Sequence, residues 1–213
     1  MPDGGSTGIG ASVKRKEDYR FLVGEGNYTD DINRPNQTYT YMLRSSSAHA
    51  KFSIDTSKAS TAKGVVKIFV GTDMEVGSIP CGWQVDSKDG TPMREPAHPP
   101  IAKDKVRYVG EIIAVIIAES LEDAKNAAEL IDVNYDDIPV IIDMQDALDN
   151  SKGLVHDEIE SNVCYDWELG DSEAVDKGIS EAAHITTLNV RNNRLIPNAM
   201  ETRSAIGDYE HAT

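Results

Sequence analysis

Cysteine is nearly absent from this 213-residue chain: Cys81 and Cys164 stand alone, far apart and outside any CxxC pair. A disulfide framework or a thiolate metal site needs more cysteines at closer spacing, so the two read as reduced, buried thiols. Basic residues are also scarce, with 21 Lys and Arg against 36 Asp and Glu, a net charge of −15. Such a surface repels phosphate backbones and speaks against nucleic-acid binding; its plain meaning is solubility. No apolar run reaches the roughly 18 residues that a transmembrane helix needs. The first eight residues, Met1 to Gly8, carry no apolar signal core, so the expectation is a cytoplasmic protein with no integral membrane segment. Reactive motifs are missing too. No nucleophile elbow, HExxH, phosphate loop or cysteine cluster occurs.

What is present is a continuous apolar stretch, Ile112 to Ala118, rich in β-branched residues. Its length and two-sided apolar character predict a strand covered on both faces. Ser120 with Asp123 has the spacing of a capping box. Leu121, Ala124, Ala127, Ala128, Leu130 and Ile131 then recur at helical spacing, with acidic and amide residues opposite. Asp132 to Tyr135 resumes an extended pattern, and Pro139 marks a bend before Val140 to Ile142. The stretch reads as a βαβ-like unit at the centre of the folding core, and its role as architecture.

Further strands are expected at Thr38–Arg44, Phe52–Asp55, Val65–Val70, His184–Val190 and Ser204–Tyr209. Short helices are expected from Asp55 or Thr56 to Ala62, closed by Gly64, and from Met144 to Leu148. Another, starting at Asp171 or Ser172, turns Ala174, Val175, Ile179, Ala182 and Ala183 to one side. Gly178 weakens it by roughly 1 kcal/mol. Residues 77–100 hold six glycine and proline turn formers before His98 and two prolines after it, a loop long enough to mark a functional or interface segment. Trp83 and His98 lie in it, and the histidine reads as structural. The Gly24-x-Gly26 pair is a turn, not a nucleotide loop. It has no preceding strand and no third glycine, and Asp30-Asp31 would repel a phosphate. Glu201 and Arg203 read as a buried pair holding a sheet edge. Residues 1–12, rich in glycine and serine, are expected to form a mobile tail. Composition changes near residue 150, the expected domain boundary.

Four stretches, in order, resemble one family. They are Lys14 to Ile32, with Tyr19-Arg20-Phe21 and Gly24-Glu25-Gly26; Leu43 to Lys51 followed by Ile54 to Ala59; Pro100 to Glu111; and Asn192 to Arg203. Together they are similar to the opening of the molybdenum-binding large subunit of aerobic carbon monoxide dehydrogenases, within the xanthine dehydrogenase and aldehyde oxidase family. The resemblance implies an α+β fold. Residues 13–148, with its core at about 18–145, would be the α/β hammerhead domain. Residues 149–213 would be a linker and the truncated start of a molybdopterin-binding domain. It implies an oxidoreductase that oxidises carbon monoxide, an aldehyde, a purine or another heterocycle with oxygen taken from water. The complete subunit would carry molybdenum on a molybdopterin of the cytosine dinucleotide type, with [2Fe-2S] clusters and FAD on partner subunits. The implied partners are the remainder of the large subunit, a FAD-binding medium subunit, an iron–sulfur small subunit and a small-molecule substrate. The family's cofactor loops and catalytic glutamate match no position here, so no catalytic, cofactor-binding or metal-ligating residue is assigned. The chain alone is then expected to bind no cofactor and to be inactive. The competing reading is a non-catalytic hammerhead module for binding or assembly, with loop 77–100 as its contact surface.

Overall fold

A computed structural model describes Ile9 and residues 15–210. The expected mobile tail, apart from Ile9, lies outside the described residues. The chain divides into two compact units, Met1–Gln37 with Leu188–Thr213, and Thr38–Thr187.

The first unit contains α1 (Asp18–Leu22) and a 3-10 turn at Thr29–Asp31. Gly24 has φ +78°, so the Gly24-x-Gly26 segment is the expected turn. A Cβ at Gly26 would press into the Phe21 ring, which stacks on Tyr28 at 5.6 Å between centroids. Asp31 accepts from the Tyr28 N–H at 2.9 Å, so its carboxylate closes a turn. No strand forms across 188–210, and Leu188, Val190 and Leu195 are exposed. The strands expected at His184–Val190 and Ser204–Tyr209 are therefore absent. An alternating pattern becomes a strand only when a neighbouring strand completes its hydrogen bonds, and among the described residues none of the named strands pairs with these. Glu201 and Arg203 are exposed, not the buried pair that a sheet edge would have required.

The second unit is built on six strands and three helices. These are β1 (Tyr39–Arg44), β2 (Ala50–Asp55), β3 (Val65–Val70), β4 (Lys105–Val106), β5 (Ile112–Ala118), α2 (Leu121–Ala128), β6 (Asp132–Asp137), α3 (Met144–Ala147) and α4 (Ser172–Ser180). They form two three-stranded sheets, ordered β1-β5-β3 and β4-β2-β6, with every pairing antiparallel. The strand–helix–strand order through residue 137 is as expected, but it is not a βαβ unit. β5 and β6 lie in different sheets, so α2 links the sheets instead of crossing over within one. The segment between Ala118 and Asp132 is long enough for either route. The choice was made by pairing partners distant in sequence.

β5 is central in its sheet and covered on both faces, as its composition demanded. Ala114, Ile116 and Ala118 pack with Ile68, Ala124, Ala127 and Ile131 in one core. Ile113, on the other face, joins Ala50, Ala102 and Val106 in a second. Alternate residues of one strand thus serve two cores. The alanines of α2 are completely or nearly completely buried, and their small side chains let the helix sit close on the strand. Leu121 and Leu130, expected on the same face, are half exposed at the helix ends. Ser120 caps α2. Its hydroxyl accepts from Asp123 N–H at 3.0 Å and donates to the Asp123 carboxylate at 2.6 Å.

The helix expected after Asp55 is only a 3-10 turn, Ala59–Thr61, with Gly64 at φ +73°. Val140–Ile142 forms no strand. α3 forms as expected, with the Asp143 side chain on the Gln145 N–H. α4 starts at the Asp171 cap, and its Val175 and Ile179 are exposed.

Candidate functional site

The long loop is organised by its own backbone. Ile79 N–H donates to His98 carbonyl at 2.8 Å, Met93 N–H to Val85 carbonyl at 3.0 Å, and Ser87 N–H to Thr91 carbonyl at 2.8 Å. A second segment closes against it. Arg94 N–H donates to Cys164 carbonyl at 2.9 Å, Lys88 N–H to Asp166 carbonyl at 2.7 Å, and the Arg94 guanidinium to Val163 carbonyl at 3.0 Å. Residues 163–166, in the segment expected to begin as a linker, are therefore tied along the loop in this unit.

Between these segments and the turn before β5 lies a cavity of ≈ 530 Å³. Its walls come from loop residues 79–81 and 93–98, from Arg107, Tyr108 and Glu111, and from Val155 and His156. Gly110, at φ +93°, makes the turn that presents Glu111 just before the strand. Arg44 donates to the Gly110 carbonyl at 2.8 Å, and Ser45 N–H to the Glu111 carbonyl at 2.8 Å, fixing that turn to the end of β1. Glu111 is 4% exposed, and its carboxylate accepts from the Arg107 backbone N–H.

The electrostatics follow from packing. Glu95 accepts from the Cys81 N–H and from Gln84 Nε2, and these hydrogen bonds lower its carboxyl below the ordinary value. Burial, with the Glu111 charge beside it, raises the Tyr108 phenol. Burial chiefly, and then the Arg107 charge, lowers the His156 imidazole, with Glu158 opposing. Next to this wall, Lys105 Nζ meets the Asp157 carboxylate at 3.0 and 3.1 Å. That hydrogen bond is the main reason the Asp157 carboxyl is lowered.

Of the residues singled out in the sequence, His98 lines the cavity, whereas Trp83 is exposed and does not. His98 donates its backbone N–H to Ser78 Oγ at 2.8 Å. Arg107, Glu111 and His156 were not picked out. The one signal in the sequence was a glutamate after a glycine, directly ahead of a wholly apolar strand. Both cysteines are free, but they are exposed, contrary to the expectation of buried thiols. Cys81 sits in the turn-rich loop and Cys164 in the polar segment beside it, and neither segment enters a core. Among the described residues, no three His, Cys, Asp or Glu side chains are grouped to hold a metal ion. No helix among them is long and apolar enough to cross a membrane.

Residues 23–139 match the family profile described as "Aldehyde oxidase and xanthine dehydrogenase, a/b hammerhead domain". That segment runs from the end of α1 through β6 and includes both sheets, so the chain belongs to that family. The nicotine 6-hydroxylase large subunit of Paenarthrobacter nicotinovorans is 32% identical over 205 residues, covering 95% of this chain and 24% of that protein. The carbon monoxide dehydrogenase large chain of Afipia carboxidovorans is 28% identical, covering 95% of this chain and 26% of that protein. A solved Cu,Mo-CO dehydrogenase in its carbon monoxide reduced state superposes with a TM-score of 0.67 at 29% identity, over 83% of this chain and 23% of that one. The resemblance to this family and its hammerhead fold therefore holds. The chain corresponds to a portion of the large subunits of such oxidoreductases and spans about a quarter of their length.

Proposed function

We propose that this chain is the scaffold portion of a molybdenum hydroxylase large subunit, supplying a rigid double-sheet domain on which a larger enzyme is assembled. What supports this reading is one observation: two large subunits with different substrates in their names match 95% of the chain, yet the match spans only about a quarter of each. In this reading residues 13–148 are the hammerhead domain, and residues 149–213 begin a molybdopterin-binding domain. Among the described residues no three His, Cys, Asp or Glu side chains are grouped for a metal ion, and in this reading no cofactor-binding residue is assigned to the chain. No chemical step is therefore assigned to a side chain of this chain. The cofactor, of the cytosine dinucleotide type, would be held elsewhere in the complete subunit. There it would supply the transfer of water-derived oxygen to a small aldehyde, heterocycle or carbon monoxide. Partner subunits carrying FAD and [2Fe-2S] clusters would take the electrons, and the assembly would reside in the cytoplasm.

The test is to sequence the coding region past Thr213, co-express the continuation and neighbouring frames, and assay the purified assembly for molybdenum, flavin and iron. The expected result is a complex that holds all three, while the 213-residue chain alone holds none. A chain that binds molybdenum or turns over substrate by itself would overturn the reading. So would a stop codon with no downstream frame for the rest of a large subunit.

A further inference from the structure

Residues 153–162 form a loop that closes on itself. Asn162 Nδ2 donates to the Gly153 carbonyl at 2.9 Å, and Asn162 Oδ1 accepts from the Val155 N–H at 2.9 Å, so one side chain joins the two ends. No strand or helix runs through the loop, and the Ile159 N–H reaches the His156 carbonyl at a long 3.4 Å. A segment held by so few bonds can open without the rest of the unit. Two side chains anchor it. Asp157 lies on the buried Lys105 ammonium, and His156 has its Nδ1 sealed from water with no hydrogen-bond partner among the described residues.

A proton on that imidazole would bring a third positive charge to one place. Arg107 and Lys105 both oppose it, and Glu158 favours it. The balance falls against the proton, because Lys105 is buried whereas Glu158, 3.5 Å from Nδ1, has a side chain 48% exposed and is screened by water. Asp157 is engaged by Lys105. Glu95 and Glu111 line the same cavity as His156 but are engaged by Cys81 and Gln84, and by the Arg107 backbone N–H. Arg94, His98 and Tyr108, also on that wall, supply no negative charge at neutral pH.

We propose that residues 153–162 are an acid-released latch: neutral His156 and the Asp157–Lys105 pair hold the loop shut, and a proton on His156 drives it out. Released, the imidazole meets water and titrates at its ordinary 6.5. Shut, it titrates lower, because burial and then Arg107 oppose the charge. The shut state is therefore fully favoured above pH 6.5 and loses ground as pH falls towards the lowered value. Val155 and His156 are part of the cavity wall, so release opens the ≈ 530 Å³ space to solvent. The inference uses only the second unit and does not rest on the oxidoreductase reading.

The test is hydrogen exchange of the full chain by mass spectrometry at pH 7.5 and 5.0, corrected for the intrinsic pH dependence of exchange. Peptides covering 153–162 should lose protection by about tenfold at the lower pH, within the roughly thirtyfold that an imidazole of ordinary value allows over this range. The peptide covering Ile112–Ala118 should keep its protection. H156Q, verified as folded by circular dichroism, should hold the loop equally protected at both pH values, and D157N should lower its protection at both. The wild-type comparison stands without either variant. Equal loop protection at the two pH values would overturn the proposal, as would an equal loss in the Ile112–Ala118 peptide. So would a pH-dependent loss that persists in folded H156Q, or loop protection unchanged in D157N.

Discussion

Lys105 and Asp157, 52 residues apart, form a lopsided ion pair: the lysine side chain is 6% exposed and the aspartate side chain 74%. The ammonium is desolvated inside the second unit while its partner reaches in from the surface of the 153–160 segment. The pair fastens that segment to β4, beside the cavity.

Removing the two partners should have unequal effects. D157N leaves a buried ammonium with only a neutral acceptor, and should lower stability by about 1–2 kcal/mol; Asp157's exposure keeps the loss below that of a fully buried pair. K105M removes the charge and keeps the stem, and should be close to neutral. Urea denaturation of both variants checks this. Equal losses would mean the lysine is solvated in solution.

Ile116 is completely buried in the middle of β5, opposite Tyr41 of β1 and Ile68 of β3. I116V should cost about 0.5–1.5 kcal/mol from the lost methylene and its cavity. I116D should unfold the second unit, because an unpaired carboxylate there reaches no water. Thermal melts followed by circular dichroism should show a shifted transition for the first variant and no cooperative transition for the second.

Gly71 is required by proximity, not by its backbone angles. A Cβ there would lie 2.8 Å from Lys103 Cα and still closer to the Ala102 carbonyl oxygen. Ala102 is 2% exposed, so that backbone has little room to retreat. G71A should destabilise by about 1–3 kcal/mol, whereas G77A, with open space around it, should leave the denaturation midpoint unchanged.

Burial, with Arg107 beside it, keeps the His156 imidazole below its ordinary value of 6.5. The unfolded chain therefore takes up the proton first as pH falls, and protonation favours unfolding. Above pH 6.5 neither state is protonated and the group has no effect. Stability should drop as pH falls from 6.5 towards the lowered folded value. H156N should flatten that part of a plot of urea midpoint against pH. Asp157, lowered chiefly by Lys105, acts in a separate window. Its contribution is complete above its ordinary 3.8 and is lost only as pH falls further, through the folded value.

The sequence by itself determined the local elements whose stability depends on neighbours along the chain. The capped helix after Ser120, the apolar strand Ile112–Ala118 and the glycine turns at Gly24 and Gly64 each carry their signal within a few residues. The four ordered segments also carried the family. Tertiary structure decided what depends on distant partners. It split β5 and β6 between two antiparallel sheets, where local order suggested one βαβ unit. It placed His184–Val190 and Ser204–Tyr209 outside any strand, because a strand needs a neighbour that no local pattern can supply. It exposed both cysteines, since a thiol's burial follows from where its loop runs and not from the residue type. It also brought Arg107 and His156, 49 positions apart in sequence, to one cavity wall. Convergence of that kind follows from chain path and packing, which residue spacing along 213 positions does not encode.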